Sequence, residues 1–252
     1  RQHHLELLKE RPRLRALLPP LLLGVLLLAF DEAAVQAASL SVAPTRVELG
    51  QDARSATITL ENQGDSTVTV QVQTFAWAHS TASEALETTR DLIAVPPVFS
   101  LEPDAKQIIR VALRARPDAT REHAYRLLIT EVPIAPPDSK AAVRFALRLS
   151  LPVFVAAPGA LPEPAWSARR LDGKPILELA NRGRAHLRVR RVALHARGSA
   201  EPVQVIETPI YVLPGQAHGW PLDGAALAHA MLKLRAETDL GPLEAELVLP
   251  PR

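Results

Sequence analysis

The chain has 252 residues, carries 29 Lys and Arg against 27 Asp and Glu for a net charge of +2, and contains no cysteine. So even a balance argues against a nucleic-acid partner, and the missing thiols exclude thiol catalysis, cysteine-held metals and disulfide support. A hydrophobic core must hold the fold unaided, which a chain of this length can build.

Residues 1–37 read as a secretory signal peptide. Lys9, Arg11, Arg13 and Arg15 form a basic start, and Ala16 to Phe30 is an uncharged run. As a helix that run reaches ~22 Å, less than the roughly 30 Å hydrocarbon core of a membrane. Export is therefore expected and stable membrane insertion is not, with cleavage after Ala37 in the small-residue stretch Val35-Gln36-Ala37. Removing these residues leaves 24 basic against 23 acidic side chains.

From Ser39 to Val155 short alternating apolar runs follow one another: "SVAPTRVEL", "SATITL", "TVTVQVQTFAW", "QIIRVALR", "AYRLLITEV" and "AAVRFALRLSLPVFV". Their spacing predicts a β-sandwich. "AAPGALPEP", residues 156–164, has the composition of a linker. Beyond it "PILELA", "LRVRRVAL", "PVQVI", "PIYVL", "KLRAE" and "LEAELVL" predict a second set of strands, with only Ala225 to Met231 reading as helical.

The halves echo one another. Leu60-Glu61-Asn62-Gln63-Gly64 matches Leu179-Ala180-Asn181-Arg182-Gly183 at a constant offset of 119 residues, and Phe99 to Pro103 has a looser counterpart in Tyr211 to Pro214. In each Asn-x-Gly the glycine is expected to supply the positive-φ residue of a turn. Two similar immunoglobulin-like sandwiches in tandem account for this: an all-β fold.

The strand over 141–155 stands apart. Val143, Phe145, Leu147, Leu149, Leu151, Val153 and Val155 alternate with Arg144, Arg148, Ser150 and Pro152. The proline favours an edge or a bulge, yet an edge with so apolar a face invites aggregation. Val153 and Val155 are assigned to the protein's own core.

No nucleophile elbow, phosphate-cradling loop, metalloprotease helix or EF-hand spacing occurs, so an enzyme is not expected. The six histidines after residue 37, His79, His123, His186, His195, His218 and His229, are spread singly, which predicts surface or loop positions and no metal site. No cofactor is implied.

Four stretches then carry a family resemblance: "PTRVEL", "PPVFSLEPDAKQIIRV" from Pro96, "REHAYRLLITEVP" from Arg121, and the long alternating strand after the loop "IAPPDSKAA". In order and spacing the chain resembles the periplasmic pilus chaperones of the chaperone–usher pathway. The resemblance implies an immunoglobulin-like domain with a donor strand over 38–157 and a second over 158–252, set at an angle around a cleft. It also implies a periplasmic protein that binds pilus subunits, keeps them from aggregating and delivers them to an outer-membrane usher. The binding mode would be strand addition, with Val143, Phe145, Leu147, Leu149 and Leu151 entering the groove of an incomplete subunit. Arg46 would anchor the subunit's C-terminal carboxylate, and the free protein could self-associate through the same edge. A competing reading is an exported structural or adhesive sandwich that assembles with copies of itself.

Three departures from the family pattern stand out. Pro152 occupies the place of a second, lysine anchor, leaving Arg148, Lys140 or no residue for that role. Ala156 and Ala157 replace the arginine that pairs with an acid like Glu122, so interdomain geometry is expected to be held differently. Leu128 replaces an asparagine. Together these point to a divergent, archaic-like branch.

Overall fold

Where apolar and polar residues alternate, a strand gains one face for a core and one for solvent, and the chain uses that device throughout. The computed structural model describes residues 40–80, 83–115, 118–133, 146–207 and 209–249. Residues 1–37, expected to be a signal peptide, lie outside them, as do Val143 and Phe145. Among the described residues the protein is all-β, the one helical element being a 3₁₀ turn at Ala226–Ala228 where the sequence predicts a short helix.

The first sandwich has two sheets. One runs β1 (Leu40–Ala43), β3 (Ser55–Asn62), β8 (Lys106–Leu113), β6 (Leu92–Val95). The other runs β2 (Val47–Leu49), β10 (Arg148–Val155), β9 (His123–Val132), β4 (Val68–Ser80), β5 (Ser83–Thr88), with β7 (Val98–Leu101) also paired to β4. Their inner faces close over Ile58, Leu60, Val70, Ile109, Val111, Leu127, Ile129 and Val153, all essentially inaccessible to water.

The second sandwich repeats the plan. β11 (Pro164–Leu171), β12 (Lys174–Asn181) and β16 (Ala217–Pro221) form one sheet. β14 (Pro202–Ile206), β13 (Leu187–Ala196), β17 (Met231–Thr238) and β18 (Gly241–Val248) form the other, with β15 (Ile210–Val212) also on β13. Leu177, Leu179, Leu187, Val189, Leu194 and Leu234 fill its core.

The internal echo has a physical cause different from the expected one. Asn62 and Asn181 are fully buried, at 0% and 1% exposure. The Asn62 amide donates to Ser66 O and Leu101 O, at 2.8 and 3.0 Å, and its Oδ1 accepts from Gly64 N at 3.0 Å. Asn181 does the same with Ala185 O, Val212 O and Gly183 N, at 2.7, 2.9 and 3.0 Å. Each side chain satisfies backbone groups that a turn would otherwise leave orphaned, and each ties the two echoing segments together.

Gly183 does not have positive φ, so that expectation is corrected for the second turn. The left-handed residues are Asp104, at φ 58°, and Gly215, at φ 75°. Their N–H groups donate to Asn62 O and Asn181 O, at 2.8 and 2.9 Å. Gly183 is required for space instead, because a Cβ there would lie 2.3 Å from the Leu161 carbonyl oxygen.

Candidate functional site

β10 does three things at once. It pairs with β9 along its whole described length, Arg148 opposite Thr130 through Val155 opposite His123. It pairs in parallel with β2 only from Val153, opposite Val47, to Val155. From Arg148 to Pro152, then, its second edge has no strand partner among the described residues. Pro152, which lacks an N–H, sits where the strand passes from one-sided to two-sided pairing.

The odd-numbered face of β10 is the core face of the first sandwich. Leu151 is 3% exposed inside the core, among residues such as Leu127 and Val153, and Leu149 is half-buried against the same cluster. Both are therefore packed on their own domain, Leu149 opposite Ile129, the last buried residue of β9. One row further on, β9 presents Glu131 in place of an apolar core residue. Leu147 is half-buried, its N–H donates to Glu131 Oε2 at 3.3 Å, and its carbonyl accepts from Glu131 N at 2.9 Å. It is the described residue at which the apolar face leaves the domain's interior, with Phe145 and Val143 next in line outside the described residues.

The even-numbered face carries the cations. Arg46 immediately precedes β2, one residue before the register that β2 shares with β10, and its side chain reaches Glu48 on the outward face. It bonds Glu48 at 2.7 Å, both side chains being more than a third exposed, a pairing worth at most ~1 kcal/mol and readily exchanged for another carboxylate. Directly opposite Pro152 stands Arg126 of β9. Its guanidinium rests 3.6 Å above the ring of Trp77, which is itself 4% exposed. The sequence pattern does not single out Arg126. Only the register with Pro152 reveals it.

Next along the same face, Phe154 meets the second sandwich. Its ring lies 6.0 Å from Trp77, 5.3 Å from Tyr211 and 3.7 Å from His186, the last nearly parallel at 10°. Here the acid without its arginine finds another partner. His186 Nδ1 lies 2.8 and 2.9 Å from the two Glu122 oxygens, and the His186 backbone N–H donates to Oε1 at 3.0 Å. His186, in the loop between β12 and β13, is therefore a largely buried junction residue. A neighbouring cleft of about 220 Å³ is lined by Trp77, Asp91, Arg121, Glu122, Tyr125 and Leu213. Burial first, then the Asp91 carboxylate 3.5 Å away, push the Tyr125 hydroxyl up to about 12. No cluster of metal-ligating side chains occurs among the described residues.

Comparison with known proteins bears on this geometry. Residues 39–161 match the family model of the pili and flagellar-assembly chaperone, PapD N-terminal domain. Among solved structures, the fold is similar to that of a complex of the CsuC chaperone with the tip subunit CsuE, from the archaic chaperone–usher Csu pili of Acinetobacter baumannii. That match has 21% identity and a TM-score of 0.65, and covers 85% of this chain and 100% of the other. A complex of the Salmonella enterica pilin SafA with the SafB chaperone matches at 19% identity and a TM-score of 0.60, covering 86% and 99%. The E. coli chaperone DraB matches at 20% and 0.58, covering 82% and 96%. No curated protein sequence matches.

Proposed function

Residues 39–161 belong to the family of pilus and flagellar-assembly chaperones, and on that footing we propose that the chain is a periplasmic chaperone that completes pilus subunits by lending them a strand and passes them to an outer-membrane usher. The family is non-enzymatic and assembles pili. The observation that carries the reading is the half-open edge of β10, unpaired among the described residues, where an apolar face runs past Ile129, the last buried residue of β9. An incoming strand can pair with that edge while Leu147, Phe145 and Val143 enter its groove, each contributing roughly 1.5 to 3 kcal/mol on burial. Residues 38–157 form the lending domain and 158–252 the second domain. The exposed charge of Arg148, next along the edge, discourages self-pairing.

Arg46 and Arg126 take opposite sides of a client's C-terminal carboxylate, with Pro152 as the apolar floor between them. On this reading neither Arg148 nor Lys140 is needed for the vacant lysine position. The Trp77 stack keeps the Arg126 guanidinium in place with no lysine-like side chain on β10.

Co-expression with a pilus subunit from the same source tests the proposal. The wild type should yield a discrete one-to-one complex, and a Phe145→Asp, Leu147→Asp variant should yield none while keeping its circular dichroism. Arg46→Ala and Arg126→Gln should each weaken capture by about tenfold or more, the scale of one hydrogen bond to a charged group. Normal capture by the double-aspartate variant would remove the donor-strand assignment. Self-polymers without any subunit complex would favour the adhesive sandwich.

A further inference from the structure

We infer that Arg184 is a positioning residue: it locks the joint between the two sandwiches and, through that joint, keeps Arg126 where a client's carboxylate would meet it. The link to capture rests on the chaperone reading, whereas the locked joint does not.

A passage as rich in proline and small residues as 156–164 has the composition of a loose connector. The chain stitches it down instead. Ala160 N donates to Ala157 O at 3.1 Å, Glu163 N donates to Oδ1 of the buried Asn181 at 3.0 Å, and Glu163 O accepts from Arg182 N at 2.9 Å. Gly183 lies so close to residues 161–163 that a Cβ there would meet backbone atoms of all three within 2.6 Å. Arg184 completes the joint. Its N–H donates to Leu161 O at 2.8 Å and its Nη2 to Gly159 O at 3.0 Å, both in the linker. Its carbonyl accepts from Glu122 N at 2.8 Å and its Nη1 donates to Thr120 O at 3.2 Å, both in the segment of the first sandwich that leads into β9. The planar guanidinium presents its donors in a fixed fork, so one side chain from the second sandwich spans two carbonyls of different segments.

The joint bears on the client site through a row of rings. Sandwiches fixed against one another hold Tyr211 of β15 edge-on to Trp77, at 5.9 Å and 82°, with Leu213 in the same cluster. Trp77 carries the Arg126 guanidinium 3.6 Å above its ring. When the joint opens, Tyr211 and Leu213 leave Trp77, and the ring that seats Arg126 can turn. The Glu122 carboxylate adds its bonds to His186 at the same junction, and the Arg184 side chain lies at the surface. Removing that guanidinium therefore loosens the joint without opening a cavity in either core.

Amide exchange reads the joint with no client present. The Glu122 N–H is held by a carbonyl of the other sandwich, so it exchanges when the joint opens. Arg184→Met keeps that carbonyl and removes both guanidinium bonds. Exchange at Glu122 should quicken about tenfold or more, the scale of one hydrogen bond to a charged group, while the core amides of Leu127 and Leu194 keep wild-type rates. Arg184→Lys, whose ammonium reaches one carbonyl at a time, should fall between. In co-expression with a pilus subunit from the same source, Arg184→Met should lower capture about tenfold, the same scale. Added to Arg126→Gln it should lower capture no further, since both changes take the same guanidinium from the client. Wild-type exchange at Glu122 in Arg184→Met would overturn the locked joint. Quickened exchange with additive losses of capture would overturn the link to Arg126 and leave the chaperone reading standing. A wild type that captures no subunit would overturn that reading and the link with it, while exchange at Glu122 still decides the joint.

Discussion

Truncating Leu151 to alanine separates what β10 does for its own fold from what it does for a guest. The side chain is 3% exposed in the core of the first sandwich, opposite Leu127 on β9. Leucine-to-alanine changes at such sites cost about 2 to 5 kcal/mol, the transfer energy of the lost carbons plus the cavity left behind. A cost of ~3 kcal/mol should lower the melting temperature of the first sandwich by more than about 10 °C, since ~1 kcal/mol shifts a domain of that size by several degrees. Leu147→Ala, at a half-exposed position before the strand, should cost less than about 1 kcal/mol. Differential scanning calorimetry of the free protein measures both, and subunit capture at a temperature where both variants are folded completes the comparison. Leu151→Ala should then capture normally and Leu147→Ala poorly. If Leu151→Ala instead melted with the wild type and failed in capture, Leu151 would be a lent residue and the boundary drawn at Leu149 would be wrong.

Asn62→Ala removes three hydrogen bonds from a buried turn and Asn181→Ala four, and each should destabilise its own sandwich by about 2 to 4 kcal/mol in urea unfolding. Equal melting of either variant and the wild type would refute the keystone role. Tyr125, raised to about 12 from an ordinary 10, contributes stability that is fully present below pH 10 and lost as pH climbs to 12. Tyr125→Phe should therefore show a shallower alkaline loss of stability than the wild type, by about 2 to 3 kcal/mol across that window. Parallel curves would place the hydroxyl in a less confined site.

The strands and their division into two sandwiches are legible in the sequence, because period-two alternation and proline positions are local signals. Which face of a strand is covered, and how far, is not local. Val143 to Val155 reads as one continuous apolar stripe, and only the register with β9, whose last buried residue, Ile129, lies opposite Leu149, shows which part of it the domain covers itself. Arg126 and Trp77 are unremarkable in the chain and become a site because β10 lays Pro152 against one and Phe154 against the other. His186 and Glu122 meet across 64 residues, a pairing that a lone histidine does not announce. The Asn-x-Gly echo was visible, but its cause lies in the amide side chains, which reach carbonyls 39 and 31 residues away.

Hydrogen–deuterium exchange along β10, compared between the free protein and its complex with a captured subunit, tests the strand-lending account most directly. Amides from Leu147 to Leu151 that are not engaged by β9 should exchange rapidly in the free protein and become protected in the complex, while those from Val153 to Val155 stay protected in both. Exchange over 147–151 that is identical with and without the subunit would mean that no guest strand pairs there.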